Sequence, residues 1–264
     1  MLKGAIHIHS VYSDGELTLP ELRRVLLAEG CCFACVTDHA EAFDENQLRQ
    51  YLSECATLSD QNFQFIPGLE YECRDRMHIL GYGCTRPISS QDPQEVIKHI
   101  QDSAGICVIA HPKDTHFQQI EQFSTLPDGI ETWNSKYDGR YAPRPDTFAL
   151  LHRLRRRRPP TLAFYGQDLH WKKQFRGLMT MVMSPPATGG DILAALRRGD
   201  YHGQKGDLRL PSSGELPPVV LARFAQRRRK SEALRSVLKS GKRVLDRWGV
   251  PIPANVKANL RKVL

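Results

Sequence analysis

The stretch GAIHIHSVYSDGE, residues 4–16, decides how the chain is read. Ala5, Ile6 and Ile8 form an apolar, strand-like run that His7 and His9 interrupt, and an Asp14-Gly15 turn follows. Residues two apart on a strand share a face, so the segment aims two imidazoles the same way at its C-terminal end. One strand histidine alone is usually a hydrogen-bonded core residue. The remaining histidines and carboxylates change that reading.

Working outward, strand-like runs alternate with helical segments. LPELRRVLLAEG keeps Leu19, Leu22, Val25 and Leu26 at helical spacing, with Gly30 as a stop. FACVTDH, FQFIPGLEYEC, MHILGYG, ICVIAHP, GIETWN, TLAFYGQDLH and LMTMVMS then read as strands. ENQLRQYLSECATLS, DPQEVIKHIQDSAG and PDTFALLHRLRRRR read as helices between them, with Asp92 as an N-cap before Pro93, and GDILAALRRG as the helix that closes the body. About seven strand–helix units argue for parallel strands closed into an α/β barrel.

The titratable residues fall at the strand ends. His7 and His9 lie on the first strand and Asp14 in the loop after it. Asp38-His39 ends the second, Glu70 ends FIPGLE, His78 begins HILGYG, His111 ends CVIAHP, and Asp168 and His170 end LAFYGQDLH. In a parallel barrel these ends meet on the face where active sites are built. Six of the ten histidines, together with Asp14, Glu70 and Asp168, make nine metal-ligand types on that face. One ion needs about four ligands, so nine point to two or three, with Glu70 or Asp168 available to bridge.

HIHSVYSDG, TDH, GLE, HILGYG, AHP and GQDLH, in this order, resemble the PHP (polymerase and histidinol phosphatase) superfamily over roughly residues 4–210. The resemblance implies an irregular (β/α)7 TIM-like barrel and a trinuclear manganese, zinc or iron site that hydrolyses phosphoesters. It implies His7, His9, Glu70 and Asp168 at a first ion, and His78 and His111 at a second bridged by Glu70. Asp14, His39 and His170 would hold a third. Asp14, His39, Glu70, Asp168 and His170 are accordingly the residues expected to carry catalysis. Gln167 and Leu169 stand where Ser and Ala are common in the last motif, and neither is a ligand position. Paired divalent ions would acidify a water to supply hydroxide and neutralise the phosphoryl oxygens. Asp38 is expected to point away from His39, in a structural or supporting role.

Phosphate also needs protein cations. Lys113, Lys136, Arg140 and Arg176 sit in the rim loops, with Lys113, Arg140 and Arg176 as the substrate-binding candidates. Trp133, Tyr137 and Tyr141 could stack a base or sugar, and core packing explains Trp133 equally well. Only residues 84–110 separate HILG from AHP, room for one helix and no large lid. An open site would admit a bulky or polymeric substrate, unless the C-terminal extension covers it.

Composition sets the outer bounds. A chain of 264 residues, 41% hydrophobic and 25% charged, can bury a full core. It shows no apolar run near 18 residues and no secretory leader pattern, so a cytoplasmic setting is expected. Seven scattered cysteines fit a reducing compartment. Cys32 and Cys35 formally spell C-x-x-C, but inside a run that reads as a buried strand.

Residues 211–218 are turn-rich and read as a linker between the barrel, 1–210, and a basic helical extension, 219–264. The extension holds 13 Lys and Arg against Glu232 and Asp246, a net of +11, which leaves −3 for the 218 residues before it. Leu234, Val237, Leu238, Leu245 and Trp248 keep helical spacing there, with a possible break at Gly241. The helix could touch nucleic acid, lie on an anionic membrane surface, or pack on the barrel with a solvated basic face. The function expected is hydrolysis of a nucleotide or oligonucleotide phosphoester. A phosphatase for a small phosphorylated metabolite, and a non-catalytic metal-stabilised module that binds nucleic acid, remain open.

Overall fold

A computed structural model describes residues 1–138, 142–183 and 188–247. The first half of the chain runs β1 (Leu2–Ile8), α1 (Leu19–Ala28), β2 (Phe33–His39), α2 (Glu45–Thr57), β3 (Gln64–Cys73), β4 (Met77–Tyr82) and α3 (Pro93–Asp102). Then come β5 (Ile106–Ala110), α4 (Phe117–Gln122), β6 (Gly129–Asn134), α5 (Pro145–Arg155) and β7 (Leu162–Gly166). β8 (Met179–Val182), α6 (Gly189–Arg198), β9 (Tyr201–Lys205), β10 (Leu208–Pro211) and α7 (Pro218–Arg247) complete it. No described helix is long and apolar enough to cross a membrane.

Local chemistry sets the helix starts. Thr18 and Glu21 close a capping box on α1, Asp44 and Gln47 do so on α2, and Thr188 and Asp191 on α6. Asp92 caps α3 ahead of Pro93, as its sequence predicts. Each cap satisfies amides that a helix N-terminus leaves open and contributes about 1 kcal/mol.

The ten strands form one sheet in the order β10-β9-β8-β1-β2-β3-β4-β5-β6-β7. β1 divides its edge between two partners. Leu2–Gly4 pair with β8, while the half nearer the loops takes the chain that follows β7. There Gln167 N–H donates to Ile6 O (3.0 Å), Leu169 N–H to His7 O (3.2 Å) and His9 N–H to Leu169 O (2.9 Å). These bonds bring β7 back to β1, so β1–β7 make a nearly closed barrel, with β8–β10 as a flap on its side.

Two expectations need correction. β4 is antiparallel to both β3 and β5 rather than part of an all-parallel barrel. The turn at Arg74–Arg76 has no room for the dozen or more residues that a parallel crossover requires. The reversal carries a benefit for the site, because the first residues of β4 reach the mouth where the parallel strands end. The body also does not close at α6: β9 and β10 follow, paired from Leu208↔Lys205 to Pro211↔His202. The linker expected at 211–218 starts on the last residue of β10 and includes a buried Gly214. A Cβ there would lie 2.4 Å from Leu151, and its φ of 65° suits glycine.

Trp133 is fully buried, so core packing accounts for it and the stacking role does not. Six of the seven cysteines are buried, and all seven are free. Burial pushes the Cys31 thiol up to about 12 and the Cys35 thiol higher still. Cys32 Sγ faces the Lys3 carbonyl (3.3 Å), so this C-x-x-C belongs to a strand. α7 docks through Phe224 (4% exposed), with Val220 and Leu221 against the same core. Its later apolar residues Leu234 and Val237 are exposed. The helix passes Gly241 unbroken to Arg247. The side chain of Leu245, and Trp248 altogether, lie outside the described residues.

Phe33 tests this packing. It is fully buried, and its ring lies where a Cβ on Gly4 would fall. Phe33→Ala should lower unfolding free energy by about 3–5 kcal/mol. Arg49→Ala on exposed α2 should stay within about 0.5 kcal/mol. Denaturant titration checks both.

Candidate metal centre

All nine side chains singled out from the sequence converge at the barrel mouth. His7 stands at a break in the β1–β2 register, between Ile6 and Ile8, with φ 60°. Its ring meets that of His9 at a centroid distance of 5.3 Å. The two histidines therefore share a side through a bulge, not through the plain alternation their spacing suggests. His111 (φ 26°) and Asp168 (φ 51°) are likewise left-handed. Non-glycine residues rarely adopt that region, and such strain gathers at functional sites.

Glu70 sits at the middle, almost fully buried. Its Oε1 lies 2.9 Å from His78 Nδ1 and 3.4 Å from His111 Nε2. Its Oε2 lies 3.0 Å from His9 Nε2, 3.4 Å from His7 Nε2 and 3.7 Å from His39 Nδ1. One carboxylate thus faces two sets of imidazoles, one with each oxygen. Asp168 faces His9, His7 and His170 with Oδ1 (3.9, 4.0 and 3.2 Å) and His111 with Oδ2 (3.7 Å). Asp14, half exposed at the mouth, lies 3.1 Å from His170 and 3.7 Å from His39. Four sets have ligand atoms mutually close enough to hold an ion: His9, Asp14, His39 and His170; His7, His9 and Asp168; His7, Glu70 and His111; and His39, Glu70 and His78.

Two buried carboxylates support this shell. Asp38 accepts hydrogen bonds from Ser10 N–H (2.7 Å), Ser10 Oγ (2.8 Å) and Ser13 Oγ (2.6 Å). It ties down the loop between His9 and Asp14, which gives its supporting role a concrete form. Gly15 completes the loop: a Cβ there would lie 2.4 Å from the His9 carbonyl. Glu131, which the sequence reading passed over, is fully buried on β6. Its Oε1 pairs with His7 Nδ1 (2.8 Å), and its Oε2 accepts from His111 N–H (2.8 Å) and Asn134 Nδ2 (2.9 Å). The only clue in GIETWN is an ionisable residue within an otherwise buried strand.

The donor set fits cations. Glu131 Oε1 accepts the hydrogen bond from His7 Nδ1–H, which leaves His7 Nε2 facing the carboxylates of Glu70 and Asp168. His7 Nε2, His9 Nε2 and His39 Nδ1 are all buried without a hydrogen-bond partner. Burial alone would lower the His7 pKa, but Glu131, Glu70 and Asp168 outweigh it and hold the ring well above its usual value. Burial opposes ionisation of Asp168 as well, yet His7 and His111 keep it below the usual carboxylate range. His170 goes the other way, lowered to about 4 by burial and by the neighbouring His9. A neutral imidazole is the form that ligates.

The rim candidates separate. Lys113 is exposed beside a cavity that also holds Arg76. Lys136 Nζ reaches into the centre, 3.0 Å from Asp168 Oδ1 and 3.3 Å from both ring nitrogens of His170. Arg176 donates to the Ser135 carbonyl, joining the loops that follow β6 and β7. Arg140 and Tyr141 lie outside the described residues. Tyr137 is 57% exposed with its ring 4.5 Å from His111, and Trp171, absent from the sequence reading, is 40% exposed 5.8 Å from His170. Between the HILG and AHP motifs stands α3 alone, as expected, and α7 packs against α5.

No protein-family model matches the chain. A 79-residue stretch, 27% of the chain, is 28% identical to the DNA polymerase/3′-5′ exonuclease PolX of Bacillus subtilis and spans 14% of that protein. Among solved structures, a two-domain protein from Bacteroides vulgatus containing a predicted PHP-like metal-dependent phosphoesterase superposes with a TM-score of 0.58 at 19% identity. That match covers 79% of this chain and 66% of the other. The lesion-specific endonuclease PfuEndoQ from Pyrococcus furiosus gives 0.53 at 15% identity, over 75% of this chain and 55% of its own. The fold is that of the PHP-type barrels, and this chain spans only part of the length of these relatives.

Two outcomes follow for the centre. Glu131→Gln should weaken divalent-metal binding by roughly 10- to 100-fold, read by competition with a chelating dye, because it loosens the His7 ring. The second concerns pH. In metal-free protein the raised pKa of His7 makes its proton a stabilising ligand. That contribution is complete below the unfolded value of about 6.5 and is lost as the pH rises through the folded value. The Tm of metal-stripped protein should therefore fall as pH rises above about 6.5. Metal-loaded protein should hold its Tm over the same range, which differential scanning calorimetry can follow.

Proposed function

We propose that this protein is a metal-dependent phosphoesterase acting on nucleotide or oligonucleotide phosphoesters. The observation that carries the reading is Glu70, one buried carboxylate with each oxygen turned to a different group of imidazoles. His7, His9, Glu70 and Asp168 would hold one divalent ion, His78 and His111 a second shared through Glu70, and Asp14, His39 and His170 a third. Manganese, zinc and iron suit this mixture of imidazole and carboxylate. When bound, such ions supply positive charge to phosphoryl oxygens and acidify water at neutral pH.

The chain's own groups do the rest. Glu131 keeps the His7 ring in one tautomer and one orientation. Lys136 brings an ammonium beside Asp168 and His170, where a substrate's phosphoryl oxygens would meet it. Exposed Tyr137 and Trp171 flank the mouth, with the ammonium of Lys136 5.2 Å from the first ring and that of Lys173 5.9 Å from the second. Exposed rings next to cations suit base stacking, which favours a nucleotide over a sugar phosphate. PolX and PfuEndoQ are named for action on DNA, and their likeness supports the same preference. In this reading residues 1–210 are the catalytic barrel, 211–218 the linker, and 219–264 a basic extension that contacts nucleic acid backbone.

A phosphoester panel with manganese, zinc and iron tests this. It should include mononucleotides, short oligonucleotides and p-nitrophenyl phosphate. Turnover is expected, and His9→Ala and Asp168→Ala should lose more than the roughly 10- to 100-fold typical of a supporting residue. No turnover with any of the metals, or unchanged turnover in both variants, would refute the proposal.

A further inference from the structure

An open cavity of about 380 Å³, lined by Asp75, Arg76, Lys113, Thr115, His116 and Gln119, lies where the β3–β4 turn meets the loop after β5. Its two cations have matched positions. Arg76 lies two residues before His78 at the start of β4, and Lys113 two residues after His111 at the end of β5. His78 pairs with Ala110 across the two antiparallel strands. The His78 and His111 rings meet edge to face at 5.2 Å, both turned to Glu70 Oε1. Two residues of extended chain span about 7 Å, so both cations sit one step outside the same pair of imidazoles.

The segments that carry them are fixed to each other. His116, 95% buried, bonds through Nε2 to the Asp75 carbonyl at 3.2 Å and staples the β3–β4 turn to the loop after β5. Asp75 and Arg76 both have left-handed backbone, φ 60° and 57°. The nearby carboxylate of Asp114 is engaged by Arg144 at 3.0 Å. No ion pair or hydrogen bond from the Arg76 guanidinium or the Lys113 ammonium occurs among the described residues, and Asp75 is the one carboxylate lining the cavity. An open depression with two exposed cations, a hydroxyl and an amide, set against the single carboxylate of Asp75, suits a solvated phosphate. Its place outside the metal centre makes it a different phosphate from the one hydrolysed.

We propose that Arg76 and Lys113, with Thr115 and Gln119, form an anion subsite that holds a second phosphate of the substrate beside the scissile one. The inference rests on the phosphoesterase reading and narrows it to substrates that carry two or more phosphates. The second phosphate could be an internucleotide linkage or a second monoester on one nucleoside.

The experiment uses the full chain and the exposed, fold-neutral variants Arg76→Gln, Lys113→Gln and the pair together. Turnover is compared for p-nitrophenyl phosphate, a 5′-phosphorylated dinucleotide and a nucleoside 3′,5′-bisphosphate. Titration calorimetry of the last two with metal-free protein gives a readout independent of catalysis. Each charge-assisted contact corresponds to roughly a tenfold or greater change. The kcat/KM ratio of a two-phosphate substrate to p-nitrophenyl phosphate should therefore fall by about tenfold or more in the double variant, through KM. Its affinity in calorimetry should fall similarly. Loss confined to the dinucleotide identifies an internucleotide phosphate, and loss confined to the bisphosphate identifies a monoester. Equal loss on all three substrates, or unchanged binding of both two-phosphate ligands, overturns the subsite. Absence of turnover in wild type together with a binding loss in the variants would overturn the phosphoesterase reading and leave the subsite standing.

Discussion

Buried negative charge is the constraint on which the centre depends. Glu70, Asp168 and Glu131 are almost wholly out of water, and Asp14 closes the mouth above them. Uncompensated carboxylates in such a place would cost several kcal/mol each. Hydrogen bonds compensate Glu131, and one ammonium, that of Lys136, reaches Asp168. Protonation of His7, which these carboxylates favour, balances one charge, and the imidazoles that stay neutral balance none. Divalent cations resolve the conflict where protons resolve it only in part. In the proposed reading, metal binding would couple to folding, since the barrel assembles a site rich in buried negative charge.

The barrel's closure makes the site possible. His7 and Asp168 lie on the two segments that join β1 to the end of β7, and His9 is hydrogen-bonded to Leu169 in the same seam. The left-handed backbone at His7 and Asp168 turns both side chains towards Glu70 where plain strands would alternate them. At Gly166 a Cβ would fall 1.7 Å from Glu131 Oε1 and 3.1 Å from His7 Cβ. A side chain there would push the supporting carboxylate off its histidine. Seam, bulge and glycine form one device, and the cost of its strained residues is borne by the packed barrel around it.

Much of this was legible in the sequence because ligand chemistry restricts residue type. Only a few side chains hold first-row metals, so histidines at successive strand ends announce a centre before any fold is known. The direction of β4 was open to the same kind of reading, since the seven residues between Glu70 and His78 cannot hold a parallel crossover. Other features left little trace. Glu131 acts from the middle of a strand and through other residues, so no spacing marks it. Trp171 looks like any residue beyond a motif until its exposure is seen. β9 and β10 are short, and the two-residue Gly206-Asp207 turn that joins them is the one local mark of their hairpin. Arg76 becomes meaningful only once the hairpin turn brings it alongside Lys113.

The central claim is that one carboxylate organises more than one metal ion. Equilibrium dialysis of wild type and Glu70→Ala against manganese or zinc, followed by elemental analysis, tests it directly. Circular dichroism would confirm that both proteins are folded. Wild type should retain two or three ions per chain, and Glu70→Ala should lose at least one of them. One ion or none in wild type, or the same stoichiometry in both proteins, would contradict the account.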